Sequence, residues 1–104
     1  MLIQQGDVLI ESVGKIPSGA KKRKPNGRGH VLAEGEATGH AHCITDVDNA
    51  NLLVSDEGLY LNVLKDCNLT HEEHGTVTIA PGKYTVRRVR EYDHFKEEVR
   101  RVQD

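Results

Sequence analysis

An all-β domain is the fold class that this sequence predicts: a small antiparallel barrel or sandwich carrying a short C-terminal helix. Three observations lead there. Short runs of alternating apolar and polar residues recur, as in Thr76-Val77-Thr78-Ile79, the pattern of a half-buried strand. Turn-forming residues punctuate these runs roughly every eight to twelve positions, as in a sandwich or barrel. With no Trp, one Phe and three Tyr among 104 residues, the core must rest on Val, Leu and Ile, which suit a pleated surface.

Taken in order, Leu2 to Val13 reads as a strand pair or one long strand. Gly6-Asp7 is its bend or bulge, Val8-Leu9-Ile10 its buried part, and no chemistry is visible in it. Gly14 to Gly29 holds two of the three prolines and the run Lys21-Lys22-Arg23-Lys24, and reads as a positively charged loop. His30 to Thr45 reads as two strands with Gly35 or Gly39 at the turn, and Asp46 to Asn51 as an Asx-rich turn. The strand Leu52-Leu53-Val54 follows, then the turn Ser55 to Gly58. Leu59, Leu61 and Val63 come next as core positions, and Lys65-Asp66 as a corner. Cys67 to His71, Thr76 to Ile79 and Tyr84 to Glu91 complete the strands, with Ala80-Pro81-Gly82-Lys83 as a tight turn. The end differs in kind. Tyr92, Phe95, Val99 and Val102 recur at helical spacing, Asp93 can cap the N-terminus, and Glu97 faces Arg101, which predicts a short helix over 93–103. A helix so short is marginal alone, so it is expected to dock on the sheet or on a partner. The simplest partner is a second copy in a symmetric homodimer. No linker or repeat divides the chain, and 1–104 is expected to be one domain.

Composition excludes several classes. A formal charge of −2 argues against a generally basic nucleic-acid binder, although a local patch remains open. No apolar run approaches the roughly 18 residues of a membrane span, and Met1 to Asp7 has neither the basic nor the apolar region of a signal peptide. The expectation is a cytoplasmic protein with no membrane partner. Cys43 and Cys67 stand outside any Cys-x-x-Cys and are expected to be buried reduced thiols. No Gly-x-Ser-x-Gly, phosphate-binding loop or dinucleotide fingerprint is present.

The chemical signal lies in the histidines. Four of the six fall in Gly39-His40-Ala41-His42 and in Leu69-Thr70-His71-Glu72-Glu73-His74-Gly75. On a strand His40 and His42 share a face, and counting back by twos adds Thr38, Glu36, Glu34 and His30 to it. His71 and His74 would face opposite sides of a straight strand, so both can join only if Glu72-Glu73 forms a turn or bulge. His40, His42, His71 and His74 are therefore the candidate ligands of one divalent transition metal, zinc, manganese, iron, nickel or copper, with the reaction unassigned. The plain alternative is surface or hydrogen-bonded core histidines. A rival function is a non-enzymatic interaction or regulatory module. It would contact nucleic acid through Lys21, Lys22, Arg23 and Lys24, or a protein through the C-terminal helix.

Two resemblances follow from these residues. Gly39-His40-Ala41-His42 with Ile79-Ala80-Pro81-Gly82-Lys83-Tyr84 resembles the two motifs of the cupins, which implies a β-barrel with a metal held by His-x-His. Asp46 stands roughly where the cupin Glu would be, and no His follows Pro81-Gly82. The whole chain is similar to small bacterial proteins of unknown function. These share Gln-Gly-Asp-Val, here Gln5 to Val8, Gly-His-x-His, Leu-Thr-His-Glu-Glu-His-Gly and Arg-Glu-Tyr-Asp, here Arg90 to Asp93.

Overall fold

Gly6 takes a left-handed backbone conformation, φ 57°, and so folds the first two strands, β1 (Leu2–Gln5) and β2 (Val8–Ser12), into an antiparallel hairpin. The computed structural model describes residues 1–35 and 39–89. Beyond the hairpin come β3 (Lys21–Arg23), β4 (His30–Glu34), β5 (Ala41–Ile44) and a 3-10 turn over Val47–Asn49. These lead to β6 (Ala50–Ser55), β7 (Gly58–Val63), β8 (Cys67–Thr70), β9 (Val77–Ile79) and β10 (Gly82–Arg88).

The strands form two antiparallel sheets, a six-stranded one ordered β1-β2-β10-β7-β6-β3 and a four-stranded one ordered β4-β5-β8-β9. Their inner faces meet in a single apolar core. Val8, Ile10, Leu52, Leu61, Val63, Tyr84 and Val86 come from the larger sheet, and Leu32, Ile44, Cys67, Leu69 and Ile79 from the smaller. Alternation places them there, as in β2, where Val8 and Ile10 are buried with Leu9 between them, and in β8, where Cys67 and Leu69 are buried and Asn68 is exposed. Tyr84 is the one large aromatic of this core, and its hydroxyl donates to Ala80 O at 2.6 Å, which satisfies the polar end of a buried ring.

The all-β expectation stands, but the barrel does not. Each sheet keeps two edge strands, so the sheets stack without closing, and the cupin-like closure is not formed among the described residues. The basic run is also not a loop. Lys21–Arg23 is the edge strand β3 paired with β6, its three residues exposed, and charged side chains on an edge discourage further pairing. The helix expected over 93–103 lies outside the described residues. Among them no α-helix is found, and none is long and apolar enough to cross a membrane.

A candidate metal centre at the end of the small sheet

Three chain segments converge beyond the apolar core. On the inner face of β5, Ile44 lies in the core and His42 stands one step further along the same face. On neighbouring β8, Leu69 is the core residue and His71 continues its face past the strand end. Glu72, Glu73 and His74 then bend, and this bend turns His74 back toward the others. The imidazoles form one cluster. Ring centroids lie 4.3 Å apart for His42 and His71, 4.7 Å for His71 and His74, 5.7 Å for His40 and His71, and 6.0 Å for His42 and His74. The four histidines singled out in the sequence are thus brought together, and the turn that this needed at Glu72-Glu73 is present.

The third segment is the β1–β2 turn, in which the sequence showed no chemistry. Gln5 is buried, and its amide Nε2 donates to Leu69 O at 2.8 Å and to Gly75 O at 2.9 Å. Two carbonyls can only accept, so the amide orientation is decided and Oε1 is left facing His42 Nδ1 at 2.8 Å. His42 Nδ1 therefore carries the proton and donates it to Gln5, which leaves Nε2 with its lone pair. Asp7 Oδ1 lies 3.3 Å from that Nε2. The other oxygen, Asp7 Oδ2, pairs with Arg88 Nε at 2.9 Å, and Arg88 Nη2 also donates to the carbonyl of Glu34. Burial above all, and then the His71 charge, holds the His42 pKa below its ordinary value against the opposing pull of Asp7.

Gly6 leaves the room that the cluster occupies. A Cβ at this position would stand 2.6 Å from His74 Nε2 and 3.2 Å from His42 Cε1. Gly35 does the same on the far side, where a Cβ would meet His40 Cβ at 3.0 Å and His71 Nε2 at 3.2 Å.

At the more open end Glu72 straps the β5 entrance. Its Oε1 accepts from Ala41 N at 2.9 Å and its Oε2 pairs with Arg28 Nη2 at 2.8 Å, while the same guanidinium nitrogen donates to Gly39 O. The Ala41 N–H bond first, with Arg28 adding, holds the exposed Glu72 carboxyl below the usual carboxylate range. Ligand atoms of His40, His71 and Glu72 all lie within 4.8 Å of one another. His40 Nδ1 faces Glu73 Oε2 at 3.4 Å, which leaves its Nε2 available. His71 is differently placed: Glu73 N–H donates to its Nδ1 at 3.0 Å, so the neutral ring carries its proton on Nε2. A metal on His71 must displace that N–H from Nδ1 or exchange the tautomer.

Other candidates lie elsewhere. A bulge between Val31 and Ala33 breaks the count by twos, and His30 is buried with Nε2 bonded to Val47 O at 3.0 Å. Lys21, Lys22, Arg23 and Lys24 are exposed on and after β3 and take no part in the cluster. Cys43 and Cys67 are free and buried, and burial pushes the Cys67 thiol up to about 11.

The family profile of a domain of unknown function, DUF8820, matches residues 4–89. The chain belongs to the DUF8820 family. That match takes in Gln5, Asp7, all four clustered histidines, Glu72 and Arg88. No curated protein and no solved structure matches the chain. Gln5, Gly6 and Asp7 were hidden from a reading by chemistry because they are 33 or more positions from the nearest clustered histidine, taking 40 minus 7. Their one signal was the shared Gln-Gly-Asp-Val string.

Proposed function

We propose that this DUF8820 domain binds a divalent first-row transition metal through the cluster of His40, His42, His71 and His74. The observation that supports it most is the gathering of the ligand atoms of His40, His71 and Glu72 within 4.8 Å, with the His42 ring tilted against His71 at 4.3 Å between centroids. Imidazole and carboxylate without thiolate suit zinc, manganese, iron, nickel or copper. Neighbouring imidazoles offer several ring-nitrogen lone pairs that one cation satisfies together.

The test is metal uptake by untagged protein, measured by equilibrium dialysis against each of these ions and elemental analysis. Wild type is expected to hold metal in stoichiometric amount, and the combined variant His40→Ala with His42→Ala to hold none while keeping its fold. Wild-type protein that takes up none of the five ions overturns the reading.

A further inference from the structure

We infer that His42 and Asp7 form a cation subsite of their own, separate from the group of His40, His71 and Glu72, so that the centre is built for two ions. The inference rests on the metal-binding reading above and deepens it.

The hydrogen bonds around His42 carry the argument. Gln5 Nε2 is committed to the carbonyls of Leu69 and Gly75, so Oε1 must receive the His42 Nδ1 proton. His42 Nε2 then presents a lone pair, and the group facing it at 3.3 Å is a carboxylate oxygen, a second acceptor. Two acceptors held this way, His42 enclosed and Asp7 half-buried, repel unless something positive lies between them. The separation suits a metal: two ligand atoms about 2.0–2.2 Å from a tetrahedral ion stand about 3.4 Å apart. Asp7 Oδ2 is occupied by Arg88, which steers the carboxylate to bind through Oδ1 alone. His74 Nε2 lies nearby over Gly6, where a Cβ would stand 2.6 Å from it and 3.2 Å from His42 Cε1.

The two halves differ in readiness. His42 has its outer-shell partner in place, as ligating histidines require. At the other half Glu72 is engaged by Ala41 and Arg28, and His71 Nδ1 by Glu73 N–H, so loading there must break existing bonds. The Asp7 subsite is therefore the tighter one and fills first.

Calorimetric titration with Zn2+ and with Co2+, whose visible spectrum reports coordination, tests this on the full chain. Amide NMR spectra verify that each variant is folded. Wild type is expected to take two equivalents. The variant combining His40→Ala with Glu72→Gln is expected to retain one, and adding Asp7→Asn to weaken that ion by more than roughly 100-fold, beyond the range of an outer-shell loss. Gln5→Ala, which touches no metal, is expected to weaken the same ion by roughly 10- to 100-fold. A single wild-type equivalent that disappears from the His40→Ala, Glu72→Gln variant overturns the subsite while leaving metal binding intact. Wild-type binding unaffected by Asp7→Asn does the same. No uptake by wild type removes both readings.

Discussion

Ile44 and His42 stand on the same face of the same strand, 0% and 1% exposed, yet they belong to two different interiors. Around Ile44 the two sheets interdigitate hydrocarbon, where any side chain of the right volume serves and nothing is directional. Around His42 every contact is directional: Nδ1 to Gln5, Nε2 toward Asp7, ring faces against His71 and His74. Leu69 and His71 repeat the same change one strand away. Equal burial thus serves opposite ends. One interior provides stability, and the other holds polar groups in an arrangement that hydrocarbon packing alone would not choose.

The comparison can be pressed from either side. The largest effect is expected in the apolar interior: Ile10→Ala removes a side chain wholly enclosed by both sheets and should cost about 2 to 5 kcal/mol, read from urea unfolding midpoints. In the polar interior, Gln5→Ala leaves the Leu69 carbonyl and His42 Nδ1 without partners. It should cost about 1 to 3 kcal/mol in the metal-free protein, at the usual penalty for a buried polar group left unpaired. A loss as large as that of Ile10→Ala would show that the polar network, too, is a main source of stability. The smallest effect is a pH dependence confined to the polar side. Gln5, Asp7, His71 and His74 face His42, whose folded pKa lies below the unfolded value of about 6.5. The unfolded chain therefore binds more protons, so the contribution of neutral His42 is complete above about pH 6.5 and is lost as pH falls through the folded value. Unfolding of the metal-free protein at pH 7.5 and at pH 5 should show this decline, and His42→Gln should flatten it. An unchanged slope in that variant would move the titration to another group.

Strand positions were legible because alternation is a local signal. Val8, Ile10, Leu61 and Val63 could be placed in the core from spacing alone, and a bend or bulge at Gly6-Asp7 from its glycine, while the choice between a strand pair and one long strand stayed open there. The His40 and His42 pair was legible for the same reason, whereas His71 and His74 differ in parity and join it only through the bend at Glu72-Glu73. What escaped was non-local. Lys21–Arg23 pairs with β6 through backbone groups that leave no trace in side-chain pattern, and three like charges in succession read as solvated loop. Counting by twos puts Glu34 on the His42 face, but a bulge after Val31 shifts parity without a glycine to mark it, so that Glu34 pairs with Ala41 while His30, opposite Ile44, keeps that face. Asp7 and Gln5 join the histidines only through the pairing of β2 with β10 and the stacking of the two sheets, and no short window contains that information. Sheet closure likewise depends on whether the edge strands β1 and β3 of one sheet pair with the edge strands β4 and β9 of the other, which the alternation of no single strand encodes.

The place of β10 between β2 and β7 bears on how the molecule comes into being. Ser12 pairs with Tyr84, and Tyr84 with Leu61, so the larger sheet cannot be assembled in the order of synthesis. The β1–β2 hairpin and the β6–β7 hairpin emerge from the ribosome with facing edges open and wait for residues 82–88 to fill the gap. High sequence separation of this kind slows folding, because loop closure is paid before the contacts that reward it. The same strand carries Arg88 to Asp7, so the pairing of β10 with β2 also completes the surroundings of the histidine centre.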